Sequence, residues 1–226
     1  MANRDNHDTT SQERPTASAS SASSPTGKSG SRWKAHLLTC AVTVLVVWGV
    51  GAYALIYFFP LFIYNGLENT VVNHGIGGTG SAGLPLNTLY TLPTLAAPSQ
   101  SNSLESTGNH DTLYTVGWLN LSTGPQVLHV PDMAGRYYSV QFTDPWGTDF
   151  AYVGRRTTGT AAGDYLISGP GWTGKVPAGV TQIGAPDNTV LLIGRTLVAG
   201  DSDLATAYGL ARQIQVTPLS QGSSSP

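Results

Sequence analysis

Cysteine is nearly missing from this 226-residue chain: Cys40 stands alone, within an apolar stretch. One thiol builds neither a disulfide framework nor a thiolate metal site, so Cys40 is expected to pack as a small apolar group. Charge is scarce too, at 11% of residues, and it is unevenly spread. The first 34 residues carry Arg4, Arg14, Lys28, Arg32 and Lys34 against Asp5, Asp8 and Glu13, whereas after residue 60 ten acids face six bases. A phosphate-binding face needs clustered Lys and Arg, and that acidic remainder argues against nucleic acid as a partner. Five histidines, His7, His36, His74, His110 and His129, never pair at i, i+4 or in His-Glu-x-x-His form, so no zinc enzyme and no other metal site is indicated. "GIGGTG", residues 75–80, matches a dinucleotide loop by letter only. No strand and helix frame it and no ribose-binding acid follows in a βαβ unit, so no cofactor is expected.

What is plentiful is glycine and proline, 27 and 14 residues, which suits a turn-rich β protein of one domain. The N-terminal segment around "TASASSASSPTGKSGS" has too few large apolar groups to offset ordering entropy, and residues 1–34 are expected to be a disordered cytoplasmic tail. Next comes "LLTCAVTVLVVWGVGAYALIYFF", residues 37–59, without a charge. As a helix it would be roughly 34 Å long against a hydrocarbon core of about 30 Å. Trp33 and His36 at one end and Tyr57 and Tyr64 at the other stand like interfacial anchors, and Pro60 is where the helix would bend or stop. The expected transmembrane helix is 35–60, with 61–86 a linker and the start of an ectodomain. Lys28, Arg32 and Lys34 precede the span and only Glu68 closely follows it, so the positive-inside rule predicts a single-pass protein of the cytoplasmic membrane, N-terminus in and C-terminal domain outside. A cleaved signal peptide fits less well, because the run exceeds an ordinary h-region and no clean Ala-x-Ala site follows.

Strand signals then come at short spacing: 112–121, 126–130, 136–142, 149–154, 164–169, 179–184 and 189–198, each bounded by Gly, Pro, Asp or Asn. The expected fold is mainly β, an antiparallel, jelly-roll-like β-sandwich over 87–219. A short C-terminal helix over 201–214 closes it, capped by Asp201, Ser202 or Asp203. Residues 220–226 read as a disordered tail. Within the strands, "DPWGTD", residues 144–149, holds two carboxylates around a Trp and a Gly. As a calcium loop it offers only Asp144, Thr148 and Asp149; as a glycoside site it has Trp146 for a sugar platform. An Asp-Pro turn between two strands, with the Asp capping backbone amides, accounts for the same residues.

The run "NHDTLYTVGWLNLSTGPQVLHVPDMAGRYYSVQFTDPWGTDFAYVGRRTTGTAAGDYLISGPGW", followed by "NTVLLIGRTLV" and "DLATAYGLARQIQVTPL", resembles the family called domain of unknown function 1254. The resemblance covers about residues 87–219 and several blocks in the correct order. It implies a β-sandwich, often followed by a second domain, of unknown function 1214, for which this chain shows no matching block; a neighbouring chain supplying that domain is one implied partner. No reaction comes with the name. The shared polar positions give a candidate ligand-binding set, Asn109, Asp111, Tyr114, Asp132, Arg136, Tyr138, Asp144, Trp146, Arg156 and Arg195, and the same residues suit turns and strand corners. Two functional readings follow. One is a membrane-anchored binding or envelope-associated module whose partner is an envelope protein, a glycan or a small molecule; the other is an extracytoplasmic hydrolase or carbohydrate-active enzyme using Asp111 or Asp144 with an Arg at a strand-end cleft.

Overall fold

The computed structural model describes residues 29–76, 83–95 and 109–219. The expectations for the tail up to residue 28, for residues 77–80 of the glycine run, for the loop at 96–108 and for the tail at 220–226 lie outside the described residues.

The uncharged run and the residues around it form one helix, α1, Ser29–His74. By internal contacts the chain divides into Met1–Gly51 and Ala52–Pro226. In the first unit every described side chain, 32–51, is exposed. A helix apolar on all sides is what a lipid environment selects, and by length and composition the stretch Arg32–His74 can cross a membrane.

In the second unit the helix does not stop at Pro60 but runs on to His74. Proline removes one backbone donor and crowds the carbonyl four residues back. Packing offsets that cost. Tyr64 and Val71, seven residues apart and so on one helical face, are buried against Tyr114, Val116 and Trp118 of the neighbouring sheet. Gly75 closes the helix at φ 78° with its N–H on the Val71 carbonyl, a left-handed cap that glycine adopts without strain. Residues 61–74, part of the stretch expected as a linker and the start of the ectodomain, are helix docked on a sheet.

Two sheets make the body. The first has the order β1 (Tyr90–Thr91), β2 (Thr112–Asn120), β8 (Thr189–Leu197), β4 (Tyr138–Thr143), β5 (Asp149–Gly154), antiparallel throughout. The second has the order β7 (Thr181–Gly184), β6 (Gly163–Ser168), β3 (Gln126–Val130), β9 (Gln215–Pro218), with β6 and β7 parallel and the other pairs antiparallel. This is the mainly β architecture expected, and the seven expected strands all form. Leu128 and Val130 of β3 meet Val140, Phe142, Val190 and Leu192 between the sheets. Alternation sends the intervening side chains of the first sheet to its outer face, where the second half of α1 covers Tyr114, Val116 and Trp118. β2 is accordingly buried on both faces, from Thr112 to Leu119.

The expected terminal helix is shorter than its sequence pattern. A 3₁₀ turn at Asp201–Asp203 precedes α2, Leu204–Ala211, and the chain then returns as β9. Asp203 stands at the N-cap position but makes no side-chain cap bond. Its carboxylate serves Arg136 instead.

Candidate ligand-binding cleft

Strand register assembles a row of polar side chains on one sheet face. Arg195 on β8 sits opposite Tyr114 on β2 and Ser139 on β4; Ile193 sits opposite Gln141, and Gln141 opposite Tyr152 on β5. Partners in register share a face, so these side chains emerge on the outer side of the first sheet, over β8, β4 and β5. Of these, Ser139, Gln141, Tyr152 and Arg195 line a cleft of about 430 Å³ together with Tyr137, Arg156 and Thr157. Gly154 also borders it: a Cβ there would meet the Tyr138 carbonyl oxygen at 2.5 Å and the Ser139 Cα at 2.8 Å, so only glycine permits this approach of β5 to β4.

A connected network fixes the cleft. Arg195 Nη1 donates to Gln141 Oε1 at 3.1 Å, and its Cζ lies 5.6 Å from the Tyr114 ring centroid. Gln141 Nε2 donates to Asp149 Oδ1 at 2.8 Å, and Thr143 Oγ1 donates to the same oxygen at 2.7 Å. Tyr152 Oη donates to Asp149 Oδ2 at 2.7 Å, and this bond, with a smaller contribution from desolvation, raises the phenol above its ordinary range. Arg156 Cζ stands 5.6 Å from the Tyr137 ring centroid. Two guanidinium planes, each on an aromatic face, thus border one cavity, and the Asp149 carboxylate is occupied by three donors. Guanidinium forks match carboxylate and phosphate oxygens, and ring faces match flat or apolar ligand surfaces.

Of the residues singled out by sequence, Arg156 and Arg195 line the cleft, and the buried Tyr114 ring lies against the Arg195 guanidinium. Tyr138 borders the cleft, but its ring belongs to the core between the sheets, and burial raises its phenol. The others serve turns and strand ends. Asn109 Oδ1 accepts from the Thr112 and Asp111 amides at 3.0 and 3.2 Å, which starts β2; Asp111 itself is exposed. Asp132 accepts from the Ala134 amide at 2.8 Å, ahead of the positive-φ pair Ala134 and Gly135. Arg136 donates through both terminal nitrogens to Asp203, at 2.5 and 2.7 Å, and to the Leu197 carbonyl at 2.7 Å. That bond, with the Ala199 amide, holds Asp203 down to about 2. Asp144 accepts from the amides of Trp146 and Thr148 at 2.9 and 2.8 Å, the turn-capping role. Trp146 packs on Tyr57 and Phe58. Asp111 precedes the end of β2 that pairs with Leu197, while Asp144 follows the end of β4 that pairs with Leu191. The two carboxylates considered for hydrolysis therefore stand at opposite ends of the first sheet.

Sequence reasoning passed over Ser139, Gln141, Tyr152 and Thr157, and weighed Asp149 as a calcium ligand or as one of a glycoside-site carboxylate pair with Asp144. The available signal was the polar alternation of "SVQFT" beside "DFAYV", which marks one outward row on each strand but says nothing of which strands adjoin. Among the described residues no group of three or more His, Cys, Asp or Glu is placed to hold a metal ion.

The family model described as "Protein of unknown function (DUF1254)" matches residues 86–218. No curated protein matches the chain. Among solved structures it is similar to the VPA0106 protein of Vibrio parahaemolyticus, with 29% identity and a TM-score of 0.59 over 74% of this chain and 37% of that one. An uncharacterised protein of Burkholderia cenocepacia aligns at 13% identity over 54% of this chain and 36% of that one, with a TM-score of 0.37, which does not establish a common fold. The chain spans little more than a third of the length of the Vibrio protein.

Proposed function

We propose, for a chain that belongs to the DUF1254 family of proteins of unknown function, that it is a single-pass, membrane-anchored module whose outer-sheet cleft binds a small anionic ligand. In this reading α1 is a signal anchor in the cytoplasmic membrane, the N-terminus is inside and the sandwich outside. The ligand presents a carboxylate or phosphate to Arg195 and Arg156 and a flat surface to Tyr137 and Tyr152, as an acidic sugar or a small envelope metabolite would. The observation that carries the binding role is the pair of ring-backed guanidiniums bordering one cleft of about 430 Å³.

The test is titration calorimetry on the full chain in detergent micelles, with uronic acids, sugar phosphates and their neutral counterparts. Charged hydrogen bonds contribute about 1.5–3 kcal/mol, so Arg156→Ala should weaken a binding anion by roughly 10- to 100-fold, and added salt should weaken it further. If anions and neutral counterparts bind alike, or Arg156→Ala leaves affinity unchanged, the cleft is not the site. Orientation has its own assay: a reporter fused after Leu219 should be active only outside the cytoplasm, and activity inside would reverse the topology.

A further inference from the structure

The corner between β4 and β5 forms a second surface, apart from the cleft. Asp144 closes it through the Trp146 and Thr148 amides, and Gly147 completes the turn at φ 80°. Trp146 is thereby held on a fixed tip, yet it stays 40% exposed. Its ring centroid lies 5.3 Å from that of Tyr57 and 6.1 Å from that of Phe58. Tyr57 in turn meets Phe58 edge-on at 5.0 Å and stacks on Tyr53 at 6.0 Å. Four rings in mutual contact, Tyr53, Tyr57, Phe58 and Trp146, all of them exposed, mark a contact surface.

Its position in the chain identifies the occupant. Tyr57 and Phe58 fall at the end of the apolar run 37–59, just ahead of Pro60, and no charge follows until Glu68. Trp and Tyr rings are favoured at the boundary between hydrocarbon and headgroups, where an apolar body and a polar edge are both satisfied. Of the corner's two acids, Asp144 is buried and accepts from backbone amides, while Asp149 is exposed with its oxygens taken up by Gln141, Thr143 and Tyr152. We propose that the β4–β5 corner is a membrane-contact surface, with Trp146 seated beside Tyr57 and Phe58 in the interfacial layer of the bilayer, so that the sandwich rests on lipid instead of hanging from a tether. This rests on the membrane-anchored reading above. α1 and the corner then grip the bilayer at two points, and the domain has one fixed face toward the lipid.

The experiment uses the full chain in phosphatidylcholine vesicles, with Cys40→Ala removing the native thiol. A fluorescent label is attached at Thr148→Cys, beside Trp146, or at Ser202→Cys, beyond the opposite end of the first sheet. Lipids carrying a nitroxide near the headgroup should quench the label at 148 strongly and the label at 202 hardly at all, and Trp146→Glu should bring quenching at 148 down to the level seen at 202. Carbonate extraction, run in parallel, reports anchoring separately. If the chain stays with the vesicles while position 148 is quenched no more than position 202, the membrane-contact surface is wrong and the anchor survives. If carbonate strips the chain from the vesicles, the anchor reading fails and this proposal falls with it.

Discussion

Tyr64→Ala decides whether residues 61–74 belong to the folded domain or merely lead to it. Tyr64 is 5% exposed and Trp118, beneath it on β2, is 1% exposed, with ring centroids 6.3 Å apart at 73°. Removing a large buried ring costs about 3–5 kcal/mol. In a unit of this size each kcal/mol moves the melting midpoint by about 2–4 °C, so the variant should melt roughly 6–20 °C below the parent. Trp118→Ala should do at least as much, because its ring is the more buried. Both variants lose the same edge-to-face contact, so the double variant should fall short of the sum by about 0.5–1.5 kcal/mol. Near-UV circular dichroism of the full chain in micelles is the right assay, since it reads packed aromatics; far-UV signal would persist from an α1 held helical by detergent. An unchanged midpoint for Tyr64→Ala, with Trp118→Ala still destabilising, would refute the docking of α1 on the sheet.

Two further outcomes test the packing around the first sheet. Asp203 is depressed from 3.8 to about 2, so the stability it contributes is complete above its unfolded value and disappears as pH falls from there through about 2; urea midpoints across that window should decline less steeply in Asp203→Asn, and an unchanged acid limb would show that the bond to Arg136 is not the source. Gly117→Ala should destabilise by about 1–3 kcal/mol, since the new Cβ meets the Thr88 carbonyl oxygen at 2.3 Å, whereas Gly66→Ala, with nothing within 4 Å and in a helix, should melt no lower than the parent.

The strands were legible because apolar runs bounded by Gly, Pro and Asp are a local property, and "SVQFT", residues 139–143, alternates without interruption. β1, two residues long, and β9, which ends in a proline, leave too little period to detect. The parallel pairing of β6 and β7 was equally hidden, because the intervening "GPGWTGKVPAG" reads as a turn cluster whichever way the next strand runs. Pro60 misled for a physical reason: as a local signal it ends helices, and only the Tyr64 and Val71 packing shows why this one continues. Around the cleft, Tyr114, Arg156 and Arg195 were found through family blocks, but Gln141 and Tyr152 become neighbours only once β4 and β5 pair. The acids that drew attention, Asp132 and Asp144, each precede a turn and satisfy its amides, a role that their Pro-flanked contexts already suggested.

The strand order of the first sheet also sets a schedule. β8 lies between β2 and β4, pairing with both along most of its length. During synthesis, β2 and the β4–β5 hairpin therefore emerge long before the strand that joins them, each with an open edge and apolar side chains on the face that will become core. Edges of that kind pair with other chains when left waiting, and contacts of long sequence separation form slowly. The sheet zips shut in one late event once residue 197 is free, which makes β8 the step at which this fold is won or lost to aggregation.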